Sequence, residues 1–386
     1  MRILFCNNSF PGQFEALAGR LAAHPEHEVF FASNYGRRDF SIAGVRRIVL
    51  KARHDRAPKA GDETVRQWAG VVHTARTARD VFIKLGEGGF APDMVLFSAA
   101  CAESLFLQEA FPHAYRVAYL NADKLAPEQG RACEKSMPEA LMQGMALLHA
   151  HTAFVFGEAQ NLPPLLRSAV GVIPPCVDTE FFRSERPFAI DGEEFLPGTE
   201  LISVETAGLP QSDPLPVAMA HLLRQRPECH VLLTGGDSSL SGPLEALARV
   251  FPDRVHTMGQ VSRATYRDML SASAVRIVPT PDCTMRILME ALSCGTLLLS
   301  RTCSSSDAGP LVPGKTMLAW PDTLKGQLHL LNDMLNNHAV AEKLRHEARE
   351  AVLAHYELNT VLSNHVETLF EGYRCWKTAC CEQVRP

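Results

Sequence analysis

Residues 275–299 read VRIVPTPDCTMRILMEALSCGTLLL, and the fold class is decided there. An apolar run of strand length (275–278) is followed by a stretch with helical spacing (285–293) and by a second apolar run (296–299). Strand, helix and strand in that order specify a parallel pair, because antiparallel neighbours close through a short turn without a crossover helix. The alternation continues on both sides. Earlier in the same half come strand candidates at 201–204, 230–233 and 255–258, separated by helical stretches at 216–224, 244–250 and 266–271. Before Pro174-Pro175 another series runs through strands at 2–6, 27–32, 45–50, 93–97, 117–120 and 153–156, with helices at 14–23, 64–85 and 104–110. Two such series joined near 165–180 predict two doubly wound, Rossmann-like α/β domains facing a cleft. The expected boundaries are 1–170 and 171–350, with the largely helical stretch from 324 onward returning through 351–386 to complete the first domain.

The chain has 386 residues, enough for two or three domains with a core each. Apolar residues make up 46% and charged residues 21%, the balance of a globular protein. The basic and acidic residues give 38 − 43 = −5, which argues against general nucleic-acid binding. No apolar run reaches the roughly 18 residues of a membrane-spanning helix. Met1-Arg2 leads into Ile3-Leu4-Phe5-Cys6 and then Asn7-Asn8, too short an apolar stretch for a secretion signal. The eleven cysteines are odd in number, scattered and free of CxxC pairs, so reduced thiols and a cytoplasmic setting are expected.

Residues 309–316, GPLVPGKT, match the phosphate-loop pattern G-x-x-x-x-G-K-S/T. That pattern works by presenting free backbone N–H groups between a strand and a helix. Pro310 and Pro313 remove two of those donors, and 317–321 reads as a short strand stopped by proline. A working phosphate loop is therefore not expected. Gly86-Glu87-Gly88-Gly89 follows a helix and precedes a strand, so it reads as a helix stop. Gly235-Gly236-Asp237 follows a strand at its carboxyl end, where open α/β sheets bind ligands, and both a tight turn and a ligand loop fit it. Arg37, Arg38, Arg46, Arg47, Lys51, Arg53, Arg56 and Lys59 make 37–59 locally basic. That segment reads either as a solvated loop face or as a docking face for an anionic acceptor or a lipid surface. No Asp-x-Asp pair occurs, so no carboxylate clamp for a metal-bound diphosphate, and no metal ligand, is expected.

Three segments together resemble the retaining glycosyltransferases of GT-B architecture in glycosyltransferase family 4. Met1–Phe5 with Asn8-Ser9-Phe10-Pro11-Gly12-Gln13-Phe14 resembles the opening strand and the glycine loop that faces the donor. Residues 172–182, VIPPCVDTEFF, are similar to the IPNGVD segment that joins the domains. Residues 282–295 resemble the acidic-x7-Glu element with its small-residue helix end. The resemblance implies transfer of a sugar from a nucleotide-sugar donor to an acceptor with retention, without a metal or other cofactor. It implies that Glu290 holds the ribose, that Asp282 contacts the transferred sugar, and that Thr284 and Met285 offer helix N-terminal N–H groups to the diphosphate. Gly12, Gly235 and Gly236 would line the donor, with Ser98 and Glu103 on the side of the transferred sugar. The acceptor, a glycan, a lipid or a protein, is left open.

The departures are specific. The family carries an Arg and a Lys after the first strand of the second domain, whereas 204–213 here reads VETAGLPQSD, without a cation. Ser98 stands where a His is usual, and Met285 and Cys176 replace glycines. Arg286, four residues before Glu290, is either an i, i+4 partner of that carboxylate or the replacement for the lost diphosphate charge. Two functions remain open: a glycosyltransferase, or a degenerate GT-B protein that binds a nucleotide or a partner without turnover.

Overall fold

The computed structural model describes the chain except residues 37–39, 51–62, 122–136, 158–161, 185, 198–199, 236–241, 260, 281–284, 302–311, 313 and 384–386. The chain divides into two compact units, Met1–Pro174 with Leu362–Pro386, and Pro175–Val361.

In the first unit β1 (Arg2–Cys6) is followed by β2 (Ser9–Phe10), α1 (Glu15–Ala22), β3 (Glu28–Ser33), β4 (Tyr35–Gly36) and β5 (Val45–Val49). Then come α2 (Glu63–Glu87), β6 (Met94–Ser98), α3 (Leu107–Ala110), β7 (Tyr115–Leu120), α4 (Met137–His149), β8 (Thr152–Phe156), α5 (Pro164–Arg167) and β9 (Gly171–Ile173). Seven strands form a parallel sheet in the order β5-β3-β1-β6-β7-β8-β9. A parallel strand covered on both faces needs a continuous apolar run, and Ile3-Leu4-Phe5-Cys6 and Met94–Phe97 are such runs, buried throughout. Each fully buried Leu, Ile or Phe contributes about 1.5–3 kcal/mol, so these strands anchor the unit. The chain leaves β1 toward β3 and returns to its other side at β6, so the winding reverses between β1 and β6.

The last helix, α12 (Leu358–Gln383), belongs to the first unit from Leu362 onward. The Tyr119 hydroxyl lies 2.7 Å from His365 Nε2, and Tyr115 packs against Trp376 with ring centroids 5.6 Å apart. Burial pushes the His365 pKa down to about 4, so this ring is a neutral partner. The helix expected over 104–110 is split into a 3-10 turn (Ala102–Ser104) and α3. The Ser104 hydroxyl is drawn to the carbonyls of Ser98 and Cys101, a local bond that competes with helix.

The second unit opens with a hairpin, β10 (Phe188–Ile190) and β11 (Glu193–Phe195). Next come β12 (Leu201–Glu205), α6 (Leu215–Gln225), β13 (His230–Thr234), α7 (Pro243–Val250), β14 (Val255–Met258), α8 (Arg263–Ala272) and β15 (Val275–Val278). The unit continues with α9 (Met285–Ser293), β16 (Leu297–Ser300), β17 (Leu318–Ala319), α10 (Leu324–Asn336) and α11 (His338–His355). Six strands form a parallel sheet in the order β14-β13-β12-β15-β16-β17, reversing between β12 and β15. The phosphate-loop pattern leads into β17 and not into a helix. Its Thr316 hydroxyl accepts a bond from the Val312 N–H at 2.9 Å, and residues 309–311 and 313 lie outside the described part.

Candidate functional site

Open α/β sheets bind ligands beyond the carboxyl ends of their strands, where the winding reverses. In the first unit that place gathers polar groups from β1, β3 and β6. Asn7 follows β1 and is 6% exposed; its Nδ2 donates to Ser9 O at 3.0 Å and its Oδ1 accepts from the Cys101 thiol at 3.1 Å. Glu103 is 4% exposed and accepts from Asn34 Nδ2, just beyond β3. Ser98 ends β6 and is buried beside them. Burial pushes the Cys101 thiol up to about 12, and the Glu103 charge adds to the rise. Cys101 is therefore a neutral donor that positions Asn7, not a nucleophile.

Gly12 closes this corner. Its φ is +54°, and a Cβ there would lie 2.2 Å from Asn7 Nδ2. Gly12→Ala is expected to expel the Asn7 side chain and to destabilise the first unit by about 1–3 kcal/mol. Urea unfolding of the variant checks this; a change of less than about 0.5 kcal/mol, the size of an ordinary surface substitution, would refute it.

In the second unit Glu205 ends β12, and its Oε2 lies 2.7 Å from Arg276 Nη2. Arg276 comes from β15, is 0% exposed, and donates a second bond to Thr234 Oγ1 at 2.7 Å. Gly235, at φ +85°, leaves room for this carboxylate: a Cβ there would lie 1.6 Å from Glu205 Oε1. Asp213 is likewise neutralised, by Arg301 Nη1 at 2.8 Å, while its Oδ1 caps the Leu215 N–H at 2.9 Å. Both acids of the cation-free stretch 204–213 are thus paired with arginines, one in β15 and one just beyond β16.

Glu290 lies on α9, the helix after β15, and its side chain is 5% exposed. Arg286 Nε donates to Glu290 Oε1 at 2.9 Å, and Arg263 Nη2 approaches the same oxygen at 3.9 Å. The Arg263 guanidinium also lies over the rings of Phe181 and Phe182. Oε2 has no bonded partner among the described residues. Leu288, Met289, Ala291 and Leu292 are wholly buried around it, which fixes the helix and hence the direction of the carboxylate. Cys176 is a half-buried neutral thiol, pushed up to about 11 chiefly by desolvation.

The Glycosyl transferase family 4 group matches residues 25–121. No curated protein matches the chain by sequence. Among solved structures, sucrose-phosphate synthase from Thermosynechococcus elongatus is similar at 16% identity, with 97% of this chain and 100% of that one covered and a TM-score of 0.64. HepE from Anabaena in complex with UDP and glucose is similar at 14% identity, 96% and 99% coverage and a TM-score of 0.64. The fold is GT-B. A UDP-N-acetylglucosamine 2-epimerase has the same architecture, at 14% identity, 97% and 96% coverage and a TM-score of 0.60. The GT-B fold alone does not separate transfer from epimerisation, so the activity has to be argued from the site.

Within this GT-B chain the candidate residues fall into two groups. Gly12, Ser98 and Glu103 share one corner of the first unit. Gly235 directly follows β13, and Met285, Arg286 and Glu290 lie on α9 in the second. Asp282, Thr284 and Gly236 lie outside the described residues, as do Arg37, Arg38, Lys51, Arg53, Arg56 and Lys59 of the basic segment. Of that segment, Arg46 lies 3.8 Å from Glu28 and Arg47 sits over the Phe10 ring at 4.4 Å. Asn7, Arg276 and Arg301 were not singled out by the sequence. Asn7 directly follows the opening strand and had a positional signal; the two arginines carry no motif and are recognisable only through their partners.

Proposed function

We propose that the protein is a glycosyltransferase that moves a sugar from a nucleotide-sugar donor to an acceptor with retention and without a metal. The observation that carries this reading is Glu290: a buried carboxylate with one oxygen anchored by arginine and the other without a bonded partner among the described residues. Such a group accepts hydrogen bonds from a ribose diol, which fixes the nucleotide before the sugar reacts. In the same reading Asp282 meets the transferred sugar, and the N–H groups of Thr284 and Met285 face the diphosphate, where the helix dipole favours negative charge. In this reading Gly12, Gly235 and Gly236 line the donor. Glu103, buried and oriented by Asn34, is suited to accept from a sugar or acceptor hydroxyl, with Ser98 beside it. The acceptor is a glycan, lipid or protein, and the basic segment 37–59 is its candidate docking face. The free cysteines among the described residues suit a cytoplasmic protein.

One observation favours a second reading. Arg276 and Arg301 are committed to Glu205 and Asp213, so the stretch that carries diphosphate-binding cations in the family is neutral here. A chain so altered binds a nucleotide or a partner without turnover.

A thermal-shift screen of UDP, ADP, GDP and their sugar conjugates tests both. A ligand at 100 times its dissociation constant adds about 2.7 kcal/mol to stability, a readable shift. The transferase reading expects such a shift and release of the nucleoside diphosphate from the sugar conjugate that binds. A shift without release supports the second reading. No shift with any nucleotide defeats both as nucleotide binders.

A further inference from the structure

The amino-terminal edge of the second sheet, opposite the carboxyl ends that carry the candidate site, holds a separate cluster. His230 opens β13, and His256 is the second residue of β14. The ladder pairs Leu232 with His256, so His230, two residues earlier on its strand, shares a face with His256. The β10–β11 hairpin lays two carboxylates over them. Its turn, Asp191 at φ 53° and Gly192 at φ 87°, has the two left-handed residues of a tight hairpin, which puts Asp191 and Glu193 at its tip.

The donor atoms converge. His230 Nδ1 and His256 Nε2 are 3.1 Å apart, Glu193 Oε2 is 3.2 Å from the first and 3.7 Å from the second. A tetrahedral Zn²⁺ with bonds of about 2.0–2.2 Å needs donors roughly 3.3–3.6 Å apart. The three atoms thus outline one face of such a tetrahedron. His256 is 4% exposed, and its other nitrogen, Nδ1, lies 3.0 Å from Asp191 Oδ2. A carboxylate that accepts from the far nitrogen of a ligating His fixes the tautomer, leaving Nε2 unprotonated toward the metal. Phe195 packs edge-on against both rings, with centroids 5.0 and 5.8 Å away, and holds them in place.

We propose that Glu193, His230 and His256 form a zinc site, with Asp191 orienting His256, that fastens the β10–β11 hairpin to the edge of the second sheet. Two imidazoles and one carboxylate suit Zn²⁺ better than Mg²⁺ or Ca²⁺, which prefer all-oxygen shells. A water completes the fourth position. The ligands are 193, 230 and 256, too widely spaced to form a motif, so no linear pattern marks them. The metal-free alternative uses the same atoms: a proton on His230 Nδ1 donated to His256 Nε2, and a proton on His256 Nδ1 donated to Asp191, pin the hairpin by hydrogen bonds alone.

The test uses the full chain, stripped by a chelator and dialysed, then titrated with Zn²⁺ by calorimetry and with Co²⁺ by visible absorption. One tight Zn²⁺ equivalent is expected, together with a Co²⁺ spectrum that has tetrahedral bands and no thiolate charge transfer, which excludes the cysteines as its source. His230→Asn should abolish the equivalent, and Asp191→Asn should weaken it about 10–100-fold while the fold is kept. If His256→Asn fails to fold, Glu193→Gln, on an exposed side chain, supplies the independent loss. Equal Zn²⁺ binding by the parent and His230→Asn, or no stoichiometric binding by the parent, overturns the site and leaves the hydrogen-bonded chain as the whole account.

Discussion

Arg276→Met is expected to cost about 3–5 kcal/mol of folding free energy, and adding Glu205→Leu in the same chain to return much of it. Arg276 is wholly buried in β15, and its guanidinium bridges Glu205 at the end of β12 and Thr234 at the end of β13. Without it, the Glu205 carboxylate, 13% exposed, keeps among the described residues a long 3.4 Å bond from the Ala207 N–H. An uncompensated buried charge is the main source of the loss, so removing the charge as well should restore stability. Replacing a buried ion pair with packed apolar side chains is often neutral or stabilising by about 1–4 kcal/mol. Trp320 is buried in the second unit, whereas Trp68 and Trp376 lie in the first, so its fluorescence in urea reports the relevant transition. A single-variant loss under about 1 kcal/mol, or a double variant no better than the single, would falsify the account.

The same pair shows where reading the sequence stops. The run 275–278 is recognisable as a buried strand because three of its four residues are apolar. The fourth, Arg276, has no meaning until Glu205, 71 positions away, is brought beside it by the parallel ladder. The strand–helix alternation, the helix stop at Gly89 and the pairing of Arg286 with Glu290 are all local, set by periodicity or by i, i+4 spacing, and were legible. The β10–β11 hairpin was missed although Asp191-Gly192 between Phe188, Ile190 and Phe195 is a strong hairpin signal. Its strands are only three residues long, too short for an apolar run to mark them. The candidate site was legible only in part. Glu290 and Gly12 follow from motif resemblance, while the pairs Asn34–Glu103 and Cys101–Asn7 join residues that follow three separate strands.

Glu290→Ala is expected to weaken a nucleoside and its diphosphate alike, by about 1.5–3 kcal/mol, because the ribose is common to both. That is roughly a 10- to 150-fold change in Kd, well within the range of calorimetry. The pair to use is uridine with UDP or adenosine with ADP, according to the base that stabilises the protein. Arg286→Ala separates two roles for the neighbouring cation. Arg286 is 65% exposed, and as an i, i+4 partner of Glu290 it contributes only a few tenths of a kcal/mol to stability. It also sits in the first turn of α9, where a cation opposes the helix dipole and where an anion is favoured. A cation retained there, in a chain whose 204–213 stretch has no spare positive charge, is suited to meet a diphosphate. Arg286→Ala is therefore expected to weaken the diphosphate by about 1.5–3 kcal/mol and the nucleoside far less. If the variant binds the diphosphate as tightly as the parent while Glu290→Ala binds neither, Arg286 only orients Glu290. The leaving group then has no side-chain cation from this helix, and the non-catalytic reading becomes the stronger one.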